Sequence, residues 1–187
     1  MSNQFNFIES KKQSMVENYR LMVASISPRP IAFVGSQDGK GNDNLAPFSF
    51  FNGFGANPPI VGFSPALSGK TGEPKDTLIN IKETKEFTIS VVNHDIANQM
   101  SLSSCDFASN IDEFEKTGLS KNPSKLIKPY GVFESPIIFE CKLMKIIELG
   151  GLPGSGNLIL GEILAFHVKK GLINEDGIVN EKDMDLI

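Results

Sequence analysis

The chain of 187 residues contains no tryptophan, two tyrosines, two cysteines and two histidines. Each shortage removes a class of function. Cys105 and Cys141 cannot build a disulfide framework or a Cys-rich zinc site. They read as small apolar packing residues, and nothing in the sequence supports a redox disulfide between them. His94 and His167 are too far apart for an H-E-x-x-H metal site. A hydrolytic triad would have to use one of them, and no G-x-S-x-G elbow is present. Positive charge is scarce too: 18 Lys+Arg against 22 Asp+Glu give a net charge of −4. A basic nucleic-acid footprint is therefore missing. No run of 18 apolar residues occurs, which excludes a membrane-spanning helix of ordinary length. The start, Met1-Ser-Asn-Gln-Phe-Asn, lacks the charged and apolar regions of a signal peptide. The expectation is a cytoplasmic protein with neither a nucleic-acid nor a membrane partner.

What is present describes a folded globule. Hydrophobic residues make up 40% and charged residues 21%. The length suits one domain over residues 1–187, burying roughly 70% of its unfolded surface, with residues 1–12 as a loose polar arm. Side chains able to do acid–base or metal chemistry are few, so an enzyme of this composition would borrow a cofactor.

Apolar positions at 15, 16, 19, 22 and 23 fit one helical face over 13–23, with a short strand beginning near Leu21 as the alternative. Ser27-Pro28-Arg29-Pro30 cannot be helix interior, since each proline removes an N–H and biases its predecessor towards extended backbone. Strands are predicted over 31–36, 45–54, 60–64, 86–92, 137–149 and 157–169. Turn clusters at 38–43 and 150–156 make hairpins, as does Asp176-Gly177 within 171–180. Helices are predicted over 77–83, with Asp76 as N-cap, and over 95–103 and 111–116. Residues 118–136, with Pro123, Pro129 and Pro136, read as irregular. Strands joined by hairpins and short helices favour an antiparallel barrel with peripheral helices over a parallel nucleotide-binding sheet.

Two familiar patterns fail. Ser64 to Thr71 has serine where a phosphate-binding P-loop needs its first glycine, and Gly72 and Pro74 stop the helix that should follow. Gly53 and Gly55 begin a dinucleotide fingerprint whose third glycine is replaced by Pro58, with no strand–helix–strand unit around it.

Three ordered segments carry more weight: Ser27-Pro28-Arg29-Pro30-Ile31-Ala32-Phe33-Val34-Gly35-Ser36, Asn44-Leu45-Ala46-Pro47-Phe48-Ser49-Phe50-Phe51-Asn52, and Lys75-Asp76-Thr77-Leu78 followed by Asn80-Ile81. Together they resemble the flavin reductase-like, FMN-binding split-barrel family, which includes flavoredoxins. Gly161-Glu162-Ile163 with His167-Val168 is similar to that family's late strand, and the resemblance runs from about residue 20 to about 180. It implies a mainly β fold with peripheral helices, a six-stranded antiparallel Greek-key barrel, and a homodimer with FMN near the subunit interface. It also implies hydride transfer from NADH or NADPH to the flavin, and onward transfer to free flavin, an acceptor protein or another acceptor. The alternative is a flavoredoxin-like FMN electron carrier with no NAD(P)H activity of its own. A third reading is a barrel that binds no ligand.

The residues can be read against FMN chemistry. Its phosphate needs a cation, hydroxyls and free amides, which Lys75, Thr77 and the start of the following helix supply. Asp76 would cap that helix without touching phosphate. The ring edge needs small hydrogen-bonding groups at close approach. Asn44, Leu45, Ala46, Pro47 and Ser49 form a suitable segment, with Ser36 and Ser64 as further hydroxyls on neighbouring strands. Strand alternation puts Phe48 and Phe50 on one face and Phe51 on the other. Most of these rings read as core; Phe50 is carried as a cofactor-binding candidate, although the sequence does not choose the ring that walls the flavin.

Arg29, rigid between two prolines, could meet phosphate, a reduced flavin anion or a dimer partner, or make a structural ion pair. His167 is either a residue that orients the nicotinamide dinucleotide or a half-buried strand histidine. His94 reads as a surface or cap residue. The resemblance also implies a longer tail with an Arg- or Gly-rich turn and an aromatic residue. This sequence stops at Met184-Asp-Leu-Ile187, so a short or truncated tail and a more open flavin site are expected.

Overall fold

The computed structural model describes residues 4–187. Helix α1 (Met15–Ser25) starts at a capping box, in which the Glu17 amide donates to Ser14 Oγ and the Ser14 amide donates to the Glu17 carboxylate. This cap sets the helix two residues later than its apolar spacing suggests. The chain then forms β1 (Ala32–Gln37), β2 (Asp43–Phe48), β3 (Phe51–Ala56) and β4 (Pro59–Phe63). Next come α2 (Asp76–Thr84), β5 (Glu86–Val91), α3 (Ala97–Leu102) and α4 (Glu113–Thr117). Two short strands, β6 (Lys121–Asn122) and β7 (Gly131–Val132), precede the long pair β8 (Ile137–Glu148) and β9 (Asn157–Val168).

Seven strands pair in the order β2-β1-β5-β8-β9-β4-β3, antiparallel throughout. The two strands at the ends of that order, β2 and β3, are joined by Ser49 and Phe50 alone. A sheet whose ends lie two residues apart in the chain must close on itself, so the fold is a barrel. Here the expectation of six strands is corrected. The single strand predicted over 45–54 is bent into β2 and β3, because its first half pairs with β1 and its second half with β4. At the bend, the Ser64 amide donates to Phe50 O at 2.9 Å.

Two cores share the sheet. Inside the barrel, Val34, Val61, Phe63, Phe87, Ile89, Cys141 and Ile159 pack with Leu78 and Ile81 from α2, which plugs one end. On the outer face of β1 and β2, Phe33 and Leu45 pack with Val92, Ile96, Phe114, Leu119 and Val132. Strand β5 is buried on both faces. Phe87 and Ile89 point inward, while Thr88 Oγ1 donates to Tyr130 O at 2.7 Å and Ser90 Oγ accepts from the Val132 amide at 2.9 Å. The stretch 118–136, expected to be irregular, is thus an outer layer that carries the β6–β7 pair. Gly35 is where that layer approaches closest, since a Cβ there would lie 2.2 Å from Tyr130 O and 2.5 Å from Thr88 Oγ1. Among the described residues no helix is long and apolar enough to cross a membrane.

Candidate functional site

The start of α2 is built on a buried polar cluster. Thr77 is almost fully buried, and its hydroxyl accepts from Asn44 Nδ2 at 2.9 Å. Asn44 Nδ2 also approaches Ser36 Oγ at 3.4 Å, and Asn80 Nδ2 donates to Ser36 Oγ at 3.2 Å. These bonds fix β1, β2 and α2 to one another. The N-cap is Lys75, not Asp76; Asp76 is the first helical residue and accepts from Ser109 Oγ at 3.0 Å. The amides of Leu78 and Ile79 both donate to Lys75 O. Among the described residues nothing accepts from the amides of Asp76 and Thr77, which are the helix's N-terminal donors.

Two adjoining cavities open here. One, of about 330 Å³, is polar, with Asn44, Thr77, Ser103, Ser104 and Ser109 in its wall. The other, of about 460 Å³, is more apolar, with Tyr19, Phe48, Phe50, Ala66 and Leu67. Pro47, Phe48, Ser68, Lys75 and Asp106 line both, so the two are chambers of one cleft. Phe48 is rooted in the barrel core, its ring centroid 5.2 Å from that of Phe63.

The sequence candidates divide accordingly. Asn44, Ala46, Pro47, Lys75 and Thr77 line the polar chamber; Pro47, Ser49, Phe50, Ser64 and Lys75 line the apolar one. Phe48 and Phe50 share the cleft, whereas Phe51 packs against the barrel core. Four candidates lie elsewhere. Leu45 points into the outer core, and its amide is taken by Glu113 Oε2 at 3.0 Å. Ser36 is buried beneath Asn44 and Asn80. Arg29 stands behind the cleft, donating through Nη1 to Val23 O and Ile26 O at 2.5 and 2.6 Å and through Nε to Ser49 Oγ at 3.3 Å. It ties the C-terminal carbonyls of α1 to the bend, a favourable place for a cation.

His167 does not join the cleft within one chain. The register runs Pro47–Phe33–Ser90–Ile138–His167, four strand spacings, or roughly 19 Å along the curved sheet. Its Nε2 donates to Glu140 Oε1 at 2.5 Å. Glu140 has no exposed surface, and it also accepts from the amides of Lys125, Leu126 and Ile127. Burial alone would raise its carboxyl; the His167 bond and the amides outweigh that and hold it below the ordinary glutamate range. Cys141 is buried in the barrel, whereas Cys105 is exposed, on the segment between α3 and α4. His94 pairs at the surface with Asp185.

Sequence reasoning missed the segment 103–109, which lies across the polar chamber. Its small hydroxylic composition (Ser103, Ser104, Ser109) was the available signal. It grips α2 at consecutive residues, through Asp106 Oδ1 to Lys75 Nζ at 3.1 Å and Ser109 to Asp76.

The cleft fits FMN in type. Lys75, the Thr77 hydroxyl and two unused helix amides suit a phosphate, and an apolar slot between aromatic and proline walls suits a flat ring. The polar chamber also carries Glu73, Asp76, Asp106 and Glu113. Burial raises the Glu113 carboxyl, with neighbouring Asp112 and Asp76 adding to the shift and the Leu45 amide partly opposing it. An anion bound here depends heavily on Lys75.

Residues 24–182 match the model of the flavin reductase like domain. The chain therefore belongs to the flavin reductase-like family. Among solved structures it is similar to nitrilotriacetate monooxygenase component B from Bacillus cereus, with 34% identity, TM-score 0.91, and 98% of this chain and 90% of that one covered. It is similar to Pseudomonas fluorescens 2-nitrobenzoate 2-nitroreductase, with 34% identity, TM-score 0.82 and 93% and 82% covered. A Shewanella frigidimarina protein with a split barrel domain matches at 27% identity and TM-score 0.77, with 96% and 84% covered. The barrel closed through the Ser49–Phe50 bend is this split-barrel fold.

Proposed function

We propose that the protein is an FMN-binding oxidoreductase that takes hydride from NADH or NADPH and hands electrons to a second acceptor. The observation that carries this reading is the two-chambered cleft. A hydroxyl-rich chamber with Lys75 at the start of α2 opens into an apolar chamber walled by Phe48 and Phe50. When bound, FMN supplies the hydride and electron chemistry. The chain's own residues do the positioning. Lys75, Thr77 and the α2 amides hold the phosphate, Phe48 and Phe50 wall the ring, and Ser49 and Ser64 offer hydroxyls at its edge.

The similar proteins favour a redox role, one being a component of a monooxygenase and another a nitroreductase. They suggest two kinds of acceptor, a partner protein and a small molecule. We place the protein in the cytoplasm as a homodimer. Helix α1 buries none of its residues on its own chain and leaves Met15, Val16, Tyr19, Leu21 and Met22 exposed. A second copy covering that face would also close the Tyr19 side of the apolar chamber.

An electron-carrier role without NAD(P)H activity is the second reading. It is favoured by the placement of His167 away from the cleft, which leaves no candidate residue for orienting a dinucleotide within one chain. Anaerobic mixing of FMN-loaded protein with NADH or NADPH separates the two. Bleaching of the flavin band near about 450 nm supports the reductase, and bleaching only after another reductase is added supports the carrier. A protein that takes up no FMN refutes both.

A further inference from the structure

In the structure, the segment joining α3 to α4 places a carboxylate where the flavin reading needs an anion. Asp106 Oδ1 is 3.1 Å from Lys75 Nζ, and both residues stand at the junction of the two chambers. Lys70, in the wall of the apolar chamber, adds its charge to the same carboxylate. The Lys75 hydrogen bond comes first, and together the two lysines hold the Asp106 carboxyl below its ordinary range. The segment is anchored separately by Ser109 on Asp76, so Asp106 can leave Lys75 while the strap stays attached.

We propose that Asp106 is a specificity-determining residue that competes with the flavin's phosphate for Lys75, and so sets how tightly a phosphorylated flavin is held relative to an unphosphorylated one. The inference rests on the flavin-binding reading. Its physical content is a charge balance. Among the described residues, Lys75 is the one cation in the wall of the polar chamber, against four carboxylates. Of these, Asp106 is the one paired with it. A phosphate arriving at Lys75 meets Asp106 as a like charge and as a rival acceptor. Part of its attraction is spent on displacing the ion pair, which favours an exchanging flavin over a permanently held one. Riboflavin carries no phosphate, so Asp106 should have no hold over its binding.

The test titrates wild type and Asp106→Asn with FMN and, separately, with riboflavin, following flavin fluorescence anisotropy. Asp106→Asn should tighten FMN about two- to fivefold, the scale of an exposed ion pair, and leave riboflavin unchanged. In a Lys75→Ala background the same substitution should produce a clearly smaller gain, since only the like-charge contact is then relieved. Unchanged or weakened FMN binding in Asp106→Asn overturns the proposal while leaving flavin binding itself intact, and so does equal tightening of both flavins. If wild type binds neither flavin, the functional reading fails and this inference goes with it.

Discussion

Replacing Glu140 with glutamine tests whether a buried carboxylate organises the outer layer. Oε1 accepts from the Lys125 amide at 2.7 Å and from His167; Oε2 accepts from the amides of Leu126 and Ile127 at 2.7 and 3.2 Å. A glutamine keeps one acceptor oxygen. Its best placement preserves Leu126 and Ile127 and turns the new NH2 towards the Lys125 N–H, donor against donor. His167 can answer by presenting a bare Nε2, so the loss there is smaller. One stranded amide together with the loss of charge on the remaining bonds should cost about 2–4 kcal/mol. For a chain of this length that lowers Tm by roughly 5–15 °C. Far-UV circular dichroism in heat and in urea is the assay, since there is no tryptophan to report by fluorescence.

The pH dependence gives a second reading of the same group. The folded carboxyl is held below its ordinary value near 4.5. Its stabilisation is therefore complete above that value in the unfolded chain and drains away as pH falls through the lower folded value. The gap between wild type and Glu140→Gln should narrow on acidification. A destabilisation under about 0.5 kcal/mol at neutral pH, or a gap that widens in acid, refutes the reasoning.

Further expectations concern the cleft and its supports. Lys75→Ala and Thr77→Ala should each remove roughly 1–3 kcal/mol of FMN binding, measured by flavin titration. Only Thr77→Ala should also lower Tm, because its hydroxyl is the buried acceptor for Asn44; wild-type FMN affinity in both would discard the phosphate site. Gly35→Ala forces a methyl against Tyr130 O and Thr88 Oγ1 and should cost about 3 kcal/mol or more in urea unfolding. A near-neutral result would show that the outer layer yields easily.

Much of the barrel was legible because its strands and turns are local signals. Strand β5 alternates, β8 and β9 flank a glycine-rich turn, and Lys75 to Thr77 announces a helix start. What was missed lies between segments. The contiguous stretch Asn44 to Ser49 looked like one ligand-facing unit, yet strand geometry sends Leu45 into the outer core while Asn44 and Ala46 reach the cleft. The strap at 103–109 meets α2 across sequence separations of 31 and 33 residues, which no local pattern announces. Nothing in the local sequence marks Glu140 as buried. It is buried because the proline-bounded stretch 123–129, unremarkable in sequence, folds over it and supplies three amides.

Glu113 has a consequence for how the molecule meets its neighbours in solution. Strand β2 pairs with β1 on one side, and its other side would be a free edge, the kind of row of unpaired N–H groups onto which a foreign strand can add. The Leu45 amide on that side is capped by the Glu113 carboxylate, and Lys121 clamps Asp43 to Asp112 at 2.6 Å on each side just beyond. Helix α4 thus works as an edge guard. Because Glu113 also stands in the wall of the polar chamber, a single carboxylate both lines the cleft and covers an amide on the open edge of the sheet.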